Sequence, residues 1–405
     1  MQVVKFTRSG SHTGYRRKAY ALVCVFVLLA AVLRVGAADS KGVKISATSG
    51  ILIDAYSGRV LFEKNAYQRL SMASTTKIIT AITAIENSDL SEVVTVSKKA
   101  AEVEGSSMWL AEGEKITIEN LLYGLMLNSG NDAAIAIAEH ISGSEEEFAK
   151  LMNQLAAKIG TQNTNFENPH GLDSKEHYTT SRDLAMITRY AMQNRKFAEI
   201  VASKTKTVPN EAAEWDRTLT NHNKLLFMYE GANGVKTGYT KKTGRCLVSS
   251  AERDGIKLIA VTINAPDDWN DHRNMLDYGF TAYELMTPVR GGESVGTAAI
   301  EGAEVQVAEI YSAEDINVLV RKGGGDKINI DVLVAEITAA PVSANQILGE
   351  AVLYINGIEI SRNPLICGTD IEKKVLFSNG PSSEICKKSF ADNIIFILSL
   401  MFSCM

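Results

Sequence analysis

The hydrophobic positions of the chain follow helical and strand periodicities in different regions. Residues 77–85, 118–127 and 132–141 carry apolar positions at helical spacing, which predicts three helices that contribute to a core. Farther along, two stretches at residues 246–251 and 256–264 flank a polar turn, which predicts a β-hairpin. The pattern up to about residue 287 therefore indicates a mixture of helices and strands.

Beyond residue 288 the pattern is that of β-structure. Residues 304–310, 316–320, 328–337 and 349–360 alternate apolar and polar positions or run β-branched, and three glycines at 323–325 mark a turn. We therefore expect a separate all-β domain over residues 288–375, preceded by a catalytic domain over residues 38–287.

Both ends of the chain carry apolar runs outside these two domains. A basic region precedes the apolar residues 19–33 and a small-residue site at 35–37, which predicts an export signal peptide over residues 1–37. For residues 376–405 we expect a linker and then a helix that lies on the outer face of the cytoplasmic membrane. The apolar run at the end of this segment is too short to span a bilayer. The alternatives are a loosely ordered tail and a helix packed on the β domain.

Composition argues against nucleic-acid binding and against a metal centre. The chain has 405 residues, 45% of them hydrophobic, and its net charge of −5 offers no basic surface for a nucleic acid. The six histidines show no ligand spacing, so we expect no metal site and no cofactor. His170 and His177 lie seven positions apart in a predicted loop, where we expect either a surface role or a loop-bracing role.

The candidate chemistry lies in three short motifs. Residues 74–77 (Ser-Thr-Thr-Lys) form S-x-x-K, residues 129–131 (Ser-Gly-Asn) form S-x-N, and residues 236–238 (Lys-Thr-Gly) form K-T-G. Together these motifs are typical of penicillin-binding proteins and serine β-lactamases. Each motif also occurs a second time, so its local context has to decide which copy is used; the second copies are at residues 203–206, 343–345 and 242–244.

The context of Ser74 and Lys77 favours the first S-x-x-K. A serine at the start of a buried helix lies among unpaired backbone N–H groups, and the lysine one turn later lies on the same face. A lysine in apolar surroundings loses its proton easily and then accepts the proton of a serine nucleophile. The copy at Ser203 begins a polar, extended stretch that stops at Pro209 and offers no such helix.

The other two motifs are placed by the elements around them. Ser129 and Asn131 flank a glycine between two predicted helices, so a hydroxyl and an amide project from that corner. Lys236 and Thr237 precede the predicted hairpin, and we expect them on an edge strand where a cation and a hydroxyl pair with a peptide carboxylate. Gly238 lets the substrate backbone come close.

With the motifs in this order, the chain resembles the low-molecular-weight penicillin-binding proteins, specifically the D-alanyl-D-alanine carboxypeptidases. The resemblance covers roughly residues 45–375, including segments at 50–61, 168–172 and 178–183. It implies an α+β fold of the β-lactamase/transpeptidase type, an antiparallel sheet flanked by helices, with a second, smaller all-β domain. It also implies a serine-type enzyme that removes the terminal D-alanine from peptidoglycan stem peptides through an acyl-enzyme. β-Lactam antibiotics would inhibit such an enzyme covalently.

The resemblance further implies a role for each motif residue. Ser74 would be the acylated nucleophile and Lys77 its general base. Ser129 would relay the proton to the leaving D-alanine, and Asn131 would hold the substrate and Lys77.

The third motif would bind the end of the peptide. Lys236 and Thr237 would bind its terminal carboxylate, and the backbone N–H groups of Ser74 and Tyr239 would form the oxyanion hole. One departure stands out: many relatives carry an arginine after the last sheet strand, whereas residues 266–271 contain none here. Arg273 lies at a different spacing and is not assigned that role.

Two alternatives stay open. A class A β-lactamase needs a glutamate in an E-x-x-L-N segment that activates the deacylating water, and neither Glu167 nor Glu176 matches that pattern. A penicillin-recognising sensor would be acylated as a signal rather than as a step of turnover. For the β domain the resemblance implies a non-catalytic module, either a stalk or a platform for a partner.

Overall fold

The structure is a computed structural model that describes residues 43–210, 214–335 and 338–374. The expected signal peptide at 1–37 and the expected membrane-associated segment at 376–405 lie outside the described residues. Within the described ranges, no helix combines the length and the apolar character needed to cross a bilayer.

The described residues form nine α-helices and seventeen β-strands. The helices, in chain order, are α1 (Lys77–Asn87), α2 (Lys98–Ala101), α3 (Ile118–Leu127), α4 (Asn131–Ser142), α5 (Glu145–Ile159), α6 (Ser181–Gln193), α7 (Arg195–Ala202), α8 (Leu225–Met228) and α9 (Asp268–Ala282).

The first nine strands belong to the region before residue 287, and the other eight follow from Tyr283 onward. In chain order they are β1 (Ser49–Asp54), β2 (Val60–Lys64), β3 (Val93–Thr95), β4 (Lys115–Thr117), β5 (Thr205–Val208), β6 (Arg217–Thr220), β7 (Ala232–Thr240), β8 (Gly244–Arg253), β9 (Ile256–Ile263), β10 (Tyr283–Val289), β11 (Ser294–Glu301), β12 (Val307–Ser312), β13 (Ile316–Arg321), β14 (Ile328–Val334), β15 (Thr338–Ala339), β16 (Ile347–Ile355) and β17 (Ile358–Cys367).

A five-stranded antiparallel sheet organises the first region. Its strand order is β2-β1-β9-β8-β7, so β7, which carries the K-T-G motif, lies at one edge. Successive residues of a strand face opposite sides, and here Val248 packs into the cluster of helices α1 and α3–α7, whereas Leu247 packs towards α8 and α9. The predicted sheet flanked by helices is confirmed.

Helix α1 is buried along most of its length, as its apolar sequence predicts. A short 3-10 turn, Ala73–Thr76, leads into it, and every residue from Lys77 to Ala84 is buried. Ala73 adopts a left-handed backbone conformation with φ +48°, which turns the chain sharply into the 3-10 segment. Ser74 therefore lies at the entry of a helix surrounded by the core.

The C-terminal region is all-β, as expected. Its larger sheet has the order β14-β16-β17-β12-β11-β15, and β10 pairs with β13 in a separate ladder. The predicted strand at 349–360 is in fact a hairpin, because Asn356 and Gly357 take φ values of +53° and +78° and form a tight turn between β16 and β17. Strand β11 was not predicted.

The C-terminal region packs against the end of the first region near β1 and β2. The guanidinium of Arg59 makes two hydrogen bonds to Asp326, at 2.7 and 2.8 Å, and a third to the carbonyl of Leu319. The buried carboxylate of Asp54 accepts the backbone N–H of Leu319 at 3.1 Å. Strand β10 runs across the expected boundary at residue 287, so that boundary stays a prediction.

Candidate active site

A cleft of about 510 Å³ opens beside the edge strand β7 and brings residues of all three motifs together. Ser74 contributes from the 3-10 turn, Ser129 from the α3–α4 connection, and Thr237 and Gly238 from β7. The cleft is lined by Ser74, Ser106, Ser129, His222, Lys224, Thr237, Gly238, Tyr239, Arg245, Asp268 and Trp269.

The amine of Lys77 lies buried behind Ser74. Its Nζ lies 3.0 Å from the Oγ of Ser74, 2.7 Å from the Oδ1 of Asn131 and 2.6 Å from the backbone carbonyl of His170. Lys77 is fully buried, whereas Ser74 is partly open to solvent. The geometry joins a solvent-accessible hydroxyl to an amine that water does not reach.

Burial changes the acid–base character of both motif lysines. Burial and, after it, the charge of Lys236 hold the pKa of Lys77 well below its usual value of 10.5. Burial also lowers the pKa of Lys236 to about 7. The 3.0 Å distance between the Nζ of Lys77 and the Oγ of Ser74 is within the hydrogen-bond reach that a general base needs.

The S-x-N motif sits in a strained connection that its neighbours hold in place. Ser129 adopts a left-handed backbone conformation with φ +60°, which is uncommon for a residue with a side chain. The side-chain amide of Asn131 donates to the carbonyl of Glu104 at 2.7 Å while its Oδ1 contacts Lys77. The adjacent carboxylate of Asp132 accepts from the hydroxyl of Ser107 at 2.6 Å and so fixes the loop before it.

At Gly238 strand β7 passes close to the turn that carries Ser74. A Cβ placed on Gly238 would lie 3.0 Å from the backbone nitrogen of Ser74 and 3.1 Å from that of Thr75. These are backbone atoms, so any side chain would push the strand away from the turn. On the same strand, Lys236 is 1% exposed and its Nζ donates to the carbonyl of Thr237 at 3.0 Å.

The second copies of the motifs do not line the cleft. Ser203 ends helix α7, and its hydroxyl donates to the carbonyl of Glu199. Lys242 is exposed in the turn between β7 and β8, and Ser343 lies in the C-terminal region. The structure thus separates the two sets as the sequence context indicates.

Comparison with known proteins identifies the family. Residues 35–267 match the D-alanyl-D-alanine carboxypeptidase family, and residues 283–373 match the C-terminal domain of penicillin-binding protein 5. The chain belongs to the D-alanyl-D-alanine carboxypeptidase family. The family predicted from the motifs is therefore confirmed.

Individual relatives agree with this assignment. The chain is 33% identical over 336 residues to the D-alanyl-D-alanine carboxypeptidase DacF of Bacillus subtilis, which covers 81% of this chain and 86% of the relative. It is 30% identical over 349 residues to DacC of Escherichia coli, covering 82% and 86%. Among solved structures, penicillin binding protein 5 from Haemophilus influenzae superposes with a TM-score of 0.66 at 26% identity, covering 82% of this chain and 98% of that chain.

Both ring nitrogens of His177 make hydrogen-bond contacts that connect its loop to neighbouring segments. The Nε2 of His177 lies 2.8 Å from the hydroxyl of Thr76, and its Nδ1 accepts the backbone N–H of Glu167 at 3.0 Å. Burial lowers the pKa of His177 to about 4, so it is neutral at pH 7. In the described ranges, no cluster of three or more His, Cys, Asp or Glu side chains could hold a metal ion.

Several residues of the cleft were not predicted from the sequence, among them Arg245 and Asp268. The signal for Arg245 was available in the hairpin, because the pairing of β7 with β8 places it opposite Tyr239. Asp268 belongs to the segment in which relatives carry an arginine, and it begins helix α9 instead. His222, Lys224 and Trp269 carry no pattern that would have singled them out.

Proposed function

We propose that Ser74 is the nucleophile with which this chain performs the D-alanyl-D-alanine carboxypeptidase reaction of its family. The reaction is that of a serine-type hydrolase: it removes the terminal D-alanine of a peptidoglycan stem peptide through an acyl-enzyme, and penicillin inhibits it. The observation that carries the assignment is that Ser74 lines the cleft while its Oγ lies 3.0 Å from the fully buried amine of Lys77.

The first chemical step follows from this contact. Lys77, whose burial favours the neutral amine, accepts the proton as the Oγ of Ser74 attacks the carbonyl of the penultimate D-alanine. Asn131 orients Lys77 through the 2.7 Å contact with its Oδ1 and offers its amide to the peptide. Ser129, in the wall of the cleft, relays a proton to the nitrogen of the departing D-alanine.

The edge strand would position the substrate. An extended peptide can run alongside β7, where Lys236 and Thr237 stabilise its terminal carboxylate and Gly238 leaves room for its backbone. The backbone N–H groups of Ser74 and Tyr239 would donate to the oxyanion that forms on attack, a type of contact worth about 3–4 kcal/mol of barrier.

A β-lactamase activity receives no support from the site. Glu167, the glutamate nearest in sequence to the required position, is exposed and its carboxylate accepts from the hydroxyl of Ser174 and from the backbone N–H of Glu176. It does not line the cleft. Without the glutamate that activates the deacylating water in class A β-lactamases, the penicilloyl-enzyme should persist, and β-lactam antibiotics would act as covalent inhibitors rather than as substrates.

The domain division and the location extend this proposal. Residues 38–287 would be the catalytic domain and 288–375 a non-catalytic β module, and the family matches at 35–267 and 283–373 favour a division near this point. A signal peptide at 1–37 and an interfacial helix within 376–405 would place the enzyme on the outer face of the cytoplasmic membrane, where its substrate is found.

A deletion tests the membrane anchor. Without residues 385–405, active enzyme should be released into the soluble fraction. Truncated enzyme that stays in the membrane pellet would contradict the anchor.

One assay tests the function and the nucleophile together. Wild-type protein should release D-alanine from a diacyl-D-alanyl-D-alanine peptide. Penicillin should add its full mass to the protein as a long-lived adduct, and after proteolysis the adduct should be found on the fragment that contains Ser74. An adduct on another residue would refute the nucleophile assignment. Rapid turnover of penicillin would favour the β-lactamase alternative.

A further inference from the structure

Arg245 occupies a position in the cleft that none of the three motifs accounts for. Strand β8 pairs with β7 so that Arg245 lies opposite Tyr239, and Leu247 lies opposite Thr237. In an antiparallel pair, opposite residues share a face of the sheet, and so do residues two positions apart on one strand. Thr237, Tyr239 and Arg245 therefore lie on one face at the same end of the cleft that all three line.

A buried carboxylate lies within ion-pair distance of this arginine. The Nη1 of Arg245 lies 3.8 Å from the Oδ1 of Asp268, whose side chain is 6% exposed at the start of α9. The side chain of Arg245 is itself 55% exposed. A guanidinium has five N–H donors, so one contact of this length leaves most of them for a ligand.

The lysine of the K-T-G motif is less suited than Arg245 to hold an anion. Lys236 is 1% exposed, and its amine already donates to the carbonyl of Thr237. Burial lowers the pKa of Lys236 to about 7, so part of its charge is lost at neutral pH in the absence of a ligand. An arginine keeps its charge throughout this range and binds a carboxylate with two parallel N–H bonds.

We propose that Arg245, acting with the hydroxyl of Thr237, binds the terminal carboxylate of the peptide and selects substrates that end in a free acid. Asp268 acts as a positioning residue that directs Arg245 towards the cleft. Because residues 266–271 contain no arginine, the guanidinium comes from β8, one strand inward from the edge strand. This inference rests on the proposed function and adds to it a determinant of specificity.

The test compares two peptides in the full-length protein. A diacyl-D-alanyl-D-alanine peptide and its C-terminal amide differ only in the charged group that Arg245 would bind. In Arg245→Gln, kcat/KM for the acid should fall about 10- to 100-fold, as expected for the loss of a charged hydrogen bond, chiefly through KM. Cleavage of the amide should stay within about twofold of wild type, because that substrate never used the guanidinium.

Two further variants make the result decisive. Arg245→Lys keeps the charge but not the two-pronged geometry, so its loss for the acid should be smaller than that of Arg245→Gln. Lys242→Gln removes a positive charge from the exposed turn three residues away and should leave both substrates unchanged. The thermal midpoints of all variants should match that of wild type, since Arg245 is largely exposed.

Each outcome decides the question. An Arg245→Gln variant that loses acid and amide cleavage equally would show that the residue only supports the cleft, and one that loses neither would show that the carboxylate binds elsewhere. A wild-type protein that releases no D-alanine would instead contradict the proposed function itself. The preference for acid over amide must therefore exist in wild type and shrink when Arg245 is replaced.

Discussion

The two S-x-x-K segments of this chain contain the same chemical groups in opposite surroundings. At residues 74–77 the lysine is fully buried and its amine lies 3.0 Å from the serine hydroxyl. At residues 203–206 the serine hydroxyl donates to the carbonyl of Glu199, and the chain then enters the short hairpin strand β5. The reactive pair thus requires a helix buried in the core, which places the amine where its proton is disfavoured.

The two K-T-G segments differ in the same way. Lys236 is buried on the edge strand β7, and its pKa is lowered to about 7 by that burial, whereas Lys242 is exposed in the turn that follows. Gly238 lies close to the backbone of the nucleophile turn, whereas Gly244 takes a φ of +72° to close the hairpin. One glycine makes room for a neighbour and the other permits a turn.

The largest expected difference is between the two serines. Ser74→Ala should abolish covalent labelling by a fluorescent penicillin and reduce D-alanine release by a factor of about 10³ or more, because the acyl-enzyme has no other attachment point. Ser203→Ala should leave both at the wild-type level. Labelling that persists in Ser74→Ala would show that the contact with Lys77 does not mark the nucleophile.

The two lysines should differ next most strongly. Lys236→Ala should reduce kcat/KM for peptide hydrolysis about 100-fold or more, because it removes a cation from a water-poor part of the cleft where substrate charge must be stabilised. Lys242→Ala should change it less than twofold, since that side chain is solvated. Steady-state kinetics on one peptide measures kcat/KM for both variants, and equal losses would show that residues 236–238 are not the functional K-T-G motif.

The two glycines should separate activity from stability. Gly238→Val should reduce acylation about 100-fold by displacing β7 from Ser74, with the displacement on the order of 1 Å. Gly244→Ala should instead cost at least about 1–2 kcal/mol of folding free energy, because its left-handed backbone disfavours a side chain and an added Cβ would lie 2.3 Å from the Oδ1 of Asn264, while acylation should change much less than in Gly238→Val. Penicillin acylation rates and urea denaturation measure the two effects, and a Gly238→Val variant that acylates normally would rule out the close approach.

Local sequence context predicted the elements that carry the motif residues. The apolar run after Ser74 predicted the buried helix, and the hairpin at 246–264 predicted that Lys236 lies on an edge strand of the sheet. Both inferences depend on residues close together in the chain. The order of the three motifs then predicted the family, which the comparisons confirm.

What the sequence did not predict depends on contacts between distant segments. Arg245 and Asp268 meet across 23 positions of the chain, and although the β7–β8 pairing puts Arg245 opposite Tyr239, nothing in the local sequence indicates that Asp268 reaches the same cleft. The backbone carbonyl of His170 contacts Lys77 from a loop, and a carbonyl leaves no trace in a sequence. The turn at Asn356 and Gly357 could have been predicted, because Asn-Gly strongly favours hairpin turns. The prediction of one continuous strand over 349–360 was therefore wrong.

The two lysines should also differ in how they make the protein's free energy of unfolding depend on pH. In the folded protein the pKa of Lys236 is about 7, whereas a lysine in an unfolded chain has a pKa of about 10.4. Between these values the unfolded chain binds a proton that the folded protein does not, so the stability that Lys236 confers falls as pH decreases.

Relative to a Lys236→Met variant, wild-type stability should therefore rise by up to about 1.4 kcal/mol per pH unit between pH 7 and pH 10, and should level off on either side. Lys242→Met, at the exposed turn, should track wild type through the whole range. Urea denaturation at pH 7.5, 8.5 and 9.5 checks this. If the difference between wild type and Lys236→Met stays flat with pH, Lys236 keeps its proton in the folded state, and the contrast between a buried and an exposed K-T-G lysine loses its electrostatic basis.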